Sequence, residues 1–174
     1  VVEIEVVERP SVELLTKLVE LSRHNDGNTL SHKRVLGKFL YMARGEWVPE
    51  SDTESREAQY VREYLQSDKA GTEVLVVARE GSKVVGFGGV VVNGSCFGNS
   101  FAIVHSDYRC RGIGKGIVKV KEDYVREHYP SVKFFVYVTA NGPMAYMSEK
   151  MGYVHSGTVM GRKREMKIYI KPAR

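Results

Sequence analysis

Residues 104–117 read Val104-His105-Ser106-Asp107-Tyr108-Arg109-Cys110-Arg111-Gly112-Ile113-Gly114-Lys115-Gly116-Ile117. Before them, Phe101-Ala102-Ile103-Val104 is an apolar run of strand length. After them, Ile113, Ile117, Val120 and Tyr124 recur at spacings of three and four, the period of an amphipathic helix. The stretch predicts a strand that turns into a helix, with Gly112, Gly114 and Gly116 beside Arg109, Arg111 and Lys115 at the turn. The first N–H groups of a helix lack an intrahelical partner and carry the positive end of its dipole. Glycine lets a ligand approach the backbone closely. Such a junction is suited to a phosphate or pyrophosphate. The spacing is neither the G-x-G-x-x-G dinucleotide fingerprint nor the G-K-[ST] of a Walker loop.

The charge balance agrees with an anionic ligand. Residues 101–174 carry 14 Lys+Arg against 6 Asp+Glu, and residues 1–100 carry the remaining 12 against 15. The basic excess thus lies in the half that holds the glycine loop. The basic residues form no long block, which speaks against nucleic acid as the partner. The 174 residues, 43% hydrophobic, suit one domain over 1–174 with a real core. No apolar run reaches membrane-spanning length, and the acidic, alternating Val1–Glu8 does not fit a signal peptide. Cys96 and Cys110 are expected as free thiols in a reducing cytoplasm. No His/Cys cluster has metal spacing.

Along the chain, residues 1–8 alternate as a first strand. Ser11 is suited to cap a helix whose stripe is Leu14, Leu15, Leu18, Val19 and Leu21. A second helix is expected after Ser31, ending at Gly45, and a further one across Glu54–Leu65. Strands follow at Glu73–Ala78, Val84–Val92 and about Gly98–His105, the first two joined by a turn at Glu80-Gly81-Ser82. After the long helix to about His128 come a strand at Val132–Val138 and a short helix over Met144–Met151 closed by Gly152. Two last strands are expected at about Tyr153–Val159 and Arg164–Ile170.

Arg109-x-x-Gly112-x-Gly114, with Val104-His105-Ser106-Asp107-Tyr108 ahead of it, resembles the pyrophosphate loop of the GNAT N-acetyltransferase superfamily. That family usually has proline where Ser106 stands. A second segment is also similar: Asn141, then Glu149-Lys150-Met151-Gly152-Tyr153. The resemblance implies an α/β fold of order β-α-α-β-β-β-α-β-α-β-β, a mixed twisted sheet of about seven strands with helices on both faces.

It also implies acetyl-CoA as cosubstrate, an amine as acceptor, and direct attack of the amine on the thioester. The pyrophosphate would take N–H bonds from Cys110, Arg111, Gly112, Ile113, Gly114 and Lys115, with Arg109, Arg111 and Lys115 adding charge. The pantetheine arm would pair with the backbone of Ala102, Ile103 and Val104 where the strand splays from its neighbour. Asn141 would be structural or face the cofactor. The family's acid is a tyrosine seven residues after the asparagine, where this chain has Ser148; the base position falls on Tyr137. Water remains an alternative base, and His105 is expected to structure the loop. Tyr146 is expected to face away from the site, as a core aromatic. The acceptor side would draw on His24, Asp26, Asn28, His32, Trp47 and the basic turn Arg162-Lys163-Arg164. A homodimer, a non-catalytic acyl-CoA binder and an aminoacyl-tRNA acetyltransferase stay open.

Overall fold

The computed structural model describes residues 1–24, 72–93, 96–139, 142–160 and 165–174. The helices expected after Ser31 and across Glu54–Leu65 lie outside these residues. The strands are β1 (Val2–Val6), β2 (Thr72–Glu80), β3 (Lys83–Asn93), β4 (Cys96–Val104), β5 (Phe134–Thr139), β6 (Val154–Met160) and β7 (Glu165–Pro172). The described helices are α1 (Val12–His24), α2 (Ile113–His128) and α3 (Gly142–Lys150). One sheet joins these seven described strands in the order β1-β2-β3-β4-β5-β7-β6, and it is mixed because β4 and β5 run parallel while the other pairs are antiparallel.

Alternation along β2 explains why helices lie on both faces. Leu75 and Val77 join Phe87 and Ile103 under Leu14, Leu15, Leu18 and Leu21 of α1. Val74, Val76 and Ala78 point the other way, under Ile113, Ile117, Val118 and Val125 of α2. Each such Val, Leu, Ile or Phe side chain contributes about 1.5–3 kcal/mol by leaving water. The predicted cap of α1 is present: Leu14 N–H donates to Ser11 Oγ at 3.1 Å.

Two glycines set how closely α2 lies on the sheet. A Cβ on Gly86 of β3 would sit 2.9 Å from the Ile103 carbonyl oxygen and 3.3 Å from Ile117 Cδ1. One on Gly116 would sit 2.6 Å from Ile4 Cδ1. Gly116 therefore serves packing against β1, whereas Gly112 and Gly114 belong to the loop.

The family-like segment at 149–153 ends α3. Gly152, with φ +91, donates to Glu149 O at 3.1 Å, and Tyr153 N–H donates to Ser148 O at 3.0 Å. These are the two bonds of a Schellman cap. They drop Tyr153 into the core just ahead of β6.

Candidate functional site

The sheet opens into a fork between β4 and β5, and the glycine loop follows the open end of β4. Among the described residues β4 and β5 pair at Cys96↔Phe134 and Phe97↔Phe135, and no pairing continues toward Val104 and Thr139. On its other edge β4 carries a bulge. Two steps of β3, from Gly89 to Val91, span three of β4, from Phe101 to Gly98, so the extra residue is on β4. The bulge sits where β4 leaves β5.

Register decides which amides face the fork. His105 N–H donates to Val85 O at 2.8 Å, and Val104 lies opposite Gly86. Antiparallel alternation then directs the N–H and C=O of Ile103 to β3, and those of Ala102 and Val104 to the fork. The Val104 carbonyl accepts from Arg109 Nε at 3.2 Å. Arg109 thus ties the end of β4 to the loop.

From Val104 the chain makes a short 3-10 turn, Ser106–Tyr108. His105 caps it, Nδ1 accepting from Asp107 N–H at 3.2 Å, and its ring meets Tyr108 edge-on at 5.9 Å. Cys110 and Gly112 then take positive φ, 61 and 79. Cys110 is the one described non-glycine residue that does so, a conformation costing about 1–2 kcal/mol.

Gly112 precedes α2 and offers no side-chain cap. The first intrahelical donor is Gly116 N–H, to Gly112 O at 2.9 Å. The N–H groups of Ile113, Gly114 and Lys115 find no protein acceptor among the described residues. Arg109, Cys110, Arg111 and Lys115 are exposed around them. Arg111 and Lys83 each stand 5.0 Å from the centre of the Tyr108 ring, whose hydroxyl donates to Glu80 at 3.1 Å. A Cβ built on Gly114 would lie 3.7 Å from Val104 Cγ2 and 3.7 Å from Met147 Sδ. The loop, the end of β4 and α3 therefore meet at Gly114.

The two hydroxyls expected near the chemistry lie in the interior. Ser148 is 2% exposed and donates to the Met144 carbonyl at 2.9 Å. Tyr137 is 1% exposed and accepts from Lys121 Nζ at 3.3 Å. Tyr146 faces solvent at 63% exposure, with Lys150 Nζ 5.3 Å from its ring. The core placement expected for it is thus corrected. Two helical steps turn Tyr146 by about 200° away from buried Ser148. Asn141, Asp26, Asn28, His32, Trp47 and Arg162-Lys163-Arg164 lie outside the described residues.

Sequence reasoning missed a buried polar cluster beneath the fork. Lys121 and Glu122, neighbours on α2, are both buried. Glu122 accepts from Tyr153 Oη at 2.7 Å, Lys171 Nζ at 3.0 Å and Arg126 at 3.4 Å. The rings of Tyr137 and Tyr153 meet edge-on at 5.3 Å. Burial lowers Lys121 from 10.5 to about 7, against the raising pull of Glu122. Burial, Glu122's charge and its hydrogen bond all push the Tyr153 phenol up. A signal was present, because Lys121 lies four residues after Ile117 and four before Val125, on the apolar stripe.

Residues 40–153 match the sequence profile of the acetyltransferase (GNAT) family, about two thirds of the chain. The chain belongs to that family. Solved structures share its fold at low identity. One is the ribosomal-protein-S18-alanine N-acetyltransferase from Escherichia coli, with TM-score 0.63, 11% identity, and coverage of 99% of this chain and 94% of that one. Another is the PaiA N-acetyltransferase from Thermoplasma acidophilum in complex with coenzyme A, with TM-score 0.62, 14% identity and 99% of both chains. A third is an aminoglycoside 6'-N-acetyltransferase complexed with coenzyme A, with TM-score 0.61, 16% identity, and 99% and 97% coverage. No curated protein sequence matches the chain.

Proposed function

We propose that this chain transfers an acetyl group from acetyl-CoA to a primary amine of a small molecule or a protein, by direct attack of the amine on the thioester. The observation that carries the reading is a coincidence of place. The amides of Ile113, Gly114 and Lys115, without a protein acceptor among the described residues, open next to Val104, at the far end of the gap that begins where β4 parts from β5 after Phe97. A diphosphate needs the first, and an extended pantetheine arm needs the second.

In this reading the three amides hold pyrophosphate oxygens, and Arg111 and Lys115 add positive charge. The fork-facing backbone of Ala102 and Val104 pairs with the arm as an added strand. One of their N–H groups donates to the thioester oxygen as it gains charge. The attacking amine arrives as an ammonium ion and must lose a proton. Ser148 has its hydroxyl proton committed to Met144 O, and Tyr137 is held in the interior. Water therefore takes the amine's proton, and the coenzyme A thiolate departs without a strong acid behind it.

Coenzyme A release, measured with acetyl-CoA across panels of small amines, peptides and aminoacyl-tRNA, tests the reading. Turnover with at least one acceptor, lost in Gly114→Glu, is the expected result. Release that stays at background on every panel contradicts catalysis. A second reading, a non-catalytic acyl-CoA binder, is favoured by the commitment of the Ser148 hydroxyl to the backbone. Acetyl-CoA binding without turnover would favour it.

A further inference from the structure

Lys121 joins α2, whose head the cofactor's phosphates would meet, to β5, which borders the fork. It stands on α2, eight residues past the first loop amide, and it reaches Tyr137 on β5 at 3.3 Å. Tyr137 lies two residues beyond Phe135, the last residue of β5 paired with β4, so the contact falls under the open part of the fork. Nζ also lies 5.5 Å from the Tyr137 ring centre. The side chain is fully buried.

We propose that Lys121, seated against Tyr137 beneath the fork, takes up a proton when the phosphates of coenzyme A bind at the head of α2, so that cofactor affinity is linked to pH through this buried lysine. The proposal rests on the reading of the loop as a coenzyme A site.

The physical basis is electrostatic. At a rise of about 1.5 Å per residue, eight residues place Lys121 about 12 Å along the axis from the loop amides. At an effective dielectric of about 20, one phosphate charge at that distance shifts a lysine by about one pKa unit. Lys121 itself is buried, so salt screens the interaction less than it would an exposed pair. Free of ligand, the lysine is lowered to about 7 by burial. It is therefore partly protonated at neutral pH, where a small upward shift changes its proton occupancy most. Linkage is reciprocal: if bound phosphate favours the charged lysine, the charged lysine favours bound phosphate.

Lys121 has charged and titratable neighbours among the described residues. On α2 the neighbours are Glu122, Asp123 and Arg126; β5 offers Tyr137, the turn before β6 Tyr153, and β7 Lys171. Glu122 is engaged by Tyr153, Arg126 and Lys171. The sheet presents Ile4, Val6, Val74, Val76 and Val85 to α2. Glu8 bonds Tyr124 a turn further along the helix.

Calorimetric titration of coenzyme A into the full chain at pH 7, in two buffers of different ionisation heat, counts the protons taken up on binding. The expected result is uptake of several tenths of a proton more in the wild type than in Lys121→Met. The wild-type dissociation constant should also rise several-fold more than the variant's between pH 6.5 and 8.5. Should Lys121→Met not fold, the Lys121 Nζ resonance of the wild type gives the same answer, with a midpoint near 7 that moves up on saturation with coenzyme A. Equal uptake in both proteins, or a midpoint that stays put, overturns the proposal while leaving the cofactor site intact. Coenzyme A that fails to bind the wild type overturns the cofactor site and the proposal together.

Discussion

At the scale of single residues, three positions separate backbone geometry from chemistry. Gly112 has φ +79 and open space where a Cβ would go. Gly112→Ala should therefore cost about 1–2 kcal/mol for its left-handed backbone alone, measured by urea unfolding. Gly114 lies in the first turn, with ordinary contact distances around its missing side chain. Gly114→Glu puts a carboxylate at a helix N-terminus, where the dipole welcomes it, and where it repels phosphate. The variant should keep its unfolding midpoint and lose measurable affinity for coenzyme A. Ser148→Ala removes a hydroxyl that, among the described residues, bonds only the Met144 carbonyl. If water carries the protons, kcat should stay within about threefold of wild type. A fall of a hundredfold would return the acid role to Ser148.

At the scale of elements, the start and the underside of α2 differ in how legible they were in the sequence. Its start was readable, because an apolar strand-length run, a glycine-rich turn and a helical period follow one another there. Its underside was only partly so: the stripe could place Lys121 but not its partner. The stripe from Ile113 to Val125 includes Lys121, and hydrophobic period says nothing about a lysine whose partner, Tyr137, is distant in sequence. The consequence is a pH dependence of stability. Lys121 is lowered from 10.5 to about 7 in the folded chain. Between those values the unfolded chain holds a proton that the folded chain lacks. Stability from this group therefore rises as pH goes from 7 toward 10.5, is lost as pH falls back to 7, and is flat below that. The limiting slope is about 1.4 kcal/mol per pH unit. The difference between wild type and Lys121→Met, followed by urea unfolding from pH 6 to 10, should show this limb. β3 carries a separate constraint at Gly86. A methyl group there meets the Ile103 backbone oxygen at 2.9 Å, and a backbone atom cannot swing aside. Gly86→Ala should cost about 1–3 kcal/mol in unfolding measurements.

At the scale of the whole molecule, strand and helix order from β2 onward follows the sequence closely, because short apolar runs there are bounded by Gly81-Ser82, Gly112 and Gly152. Limits differ by a few residues: β7 runs on to Pro172, since Lys171 and Ala173 are held by Glu122 and by Lys133 O. The fork between β4 and β5 came from the family resemblance, not from periodicity, because pairing between strands distant in sequence leaves no local pattern. The acceptor residues stay beyond reach for a related reason. Polar and aromatic residues such as Asp26 and Trp47 carry no spacing that tells a binding group from a solvated one. The central claim concerns the loop and the fork together, and thermal unfolding of the full chain with acetyl-CoA tests it most directly. At one hundred times the dissociation constant the ligand should add about 2.7 kcal/mol, a rise of roughly 5–10 °C in the midpoint, and Gly114→Glu should show none. An unchanged wild-type midpoint at saturating acetyl-CoA would contradict the account.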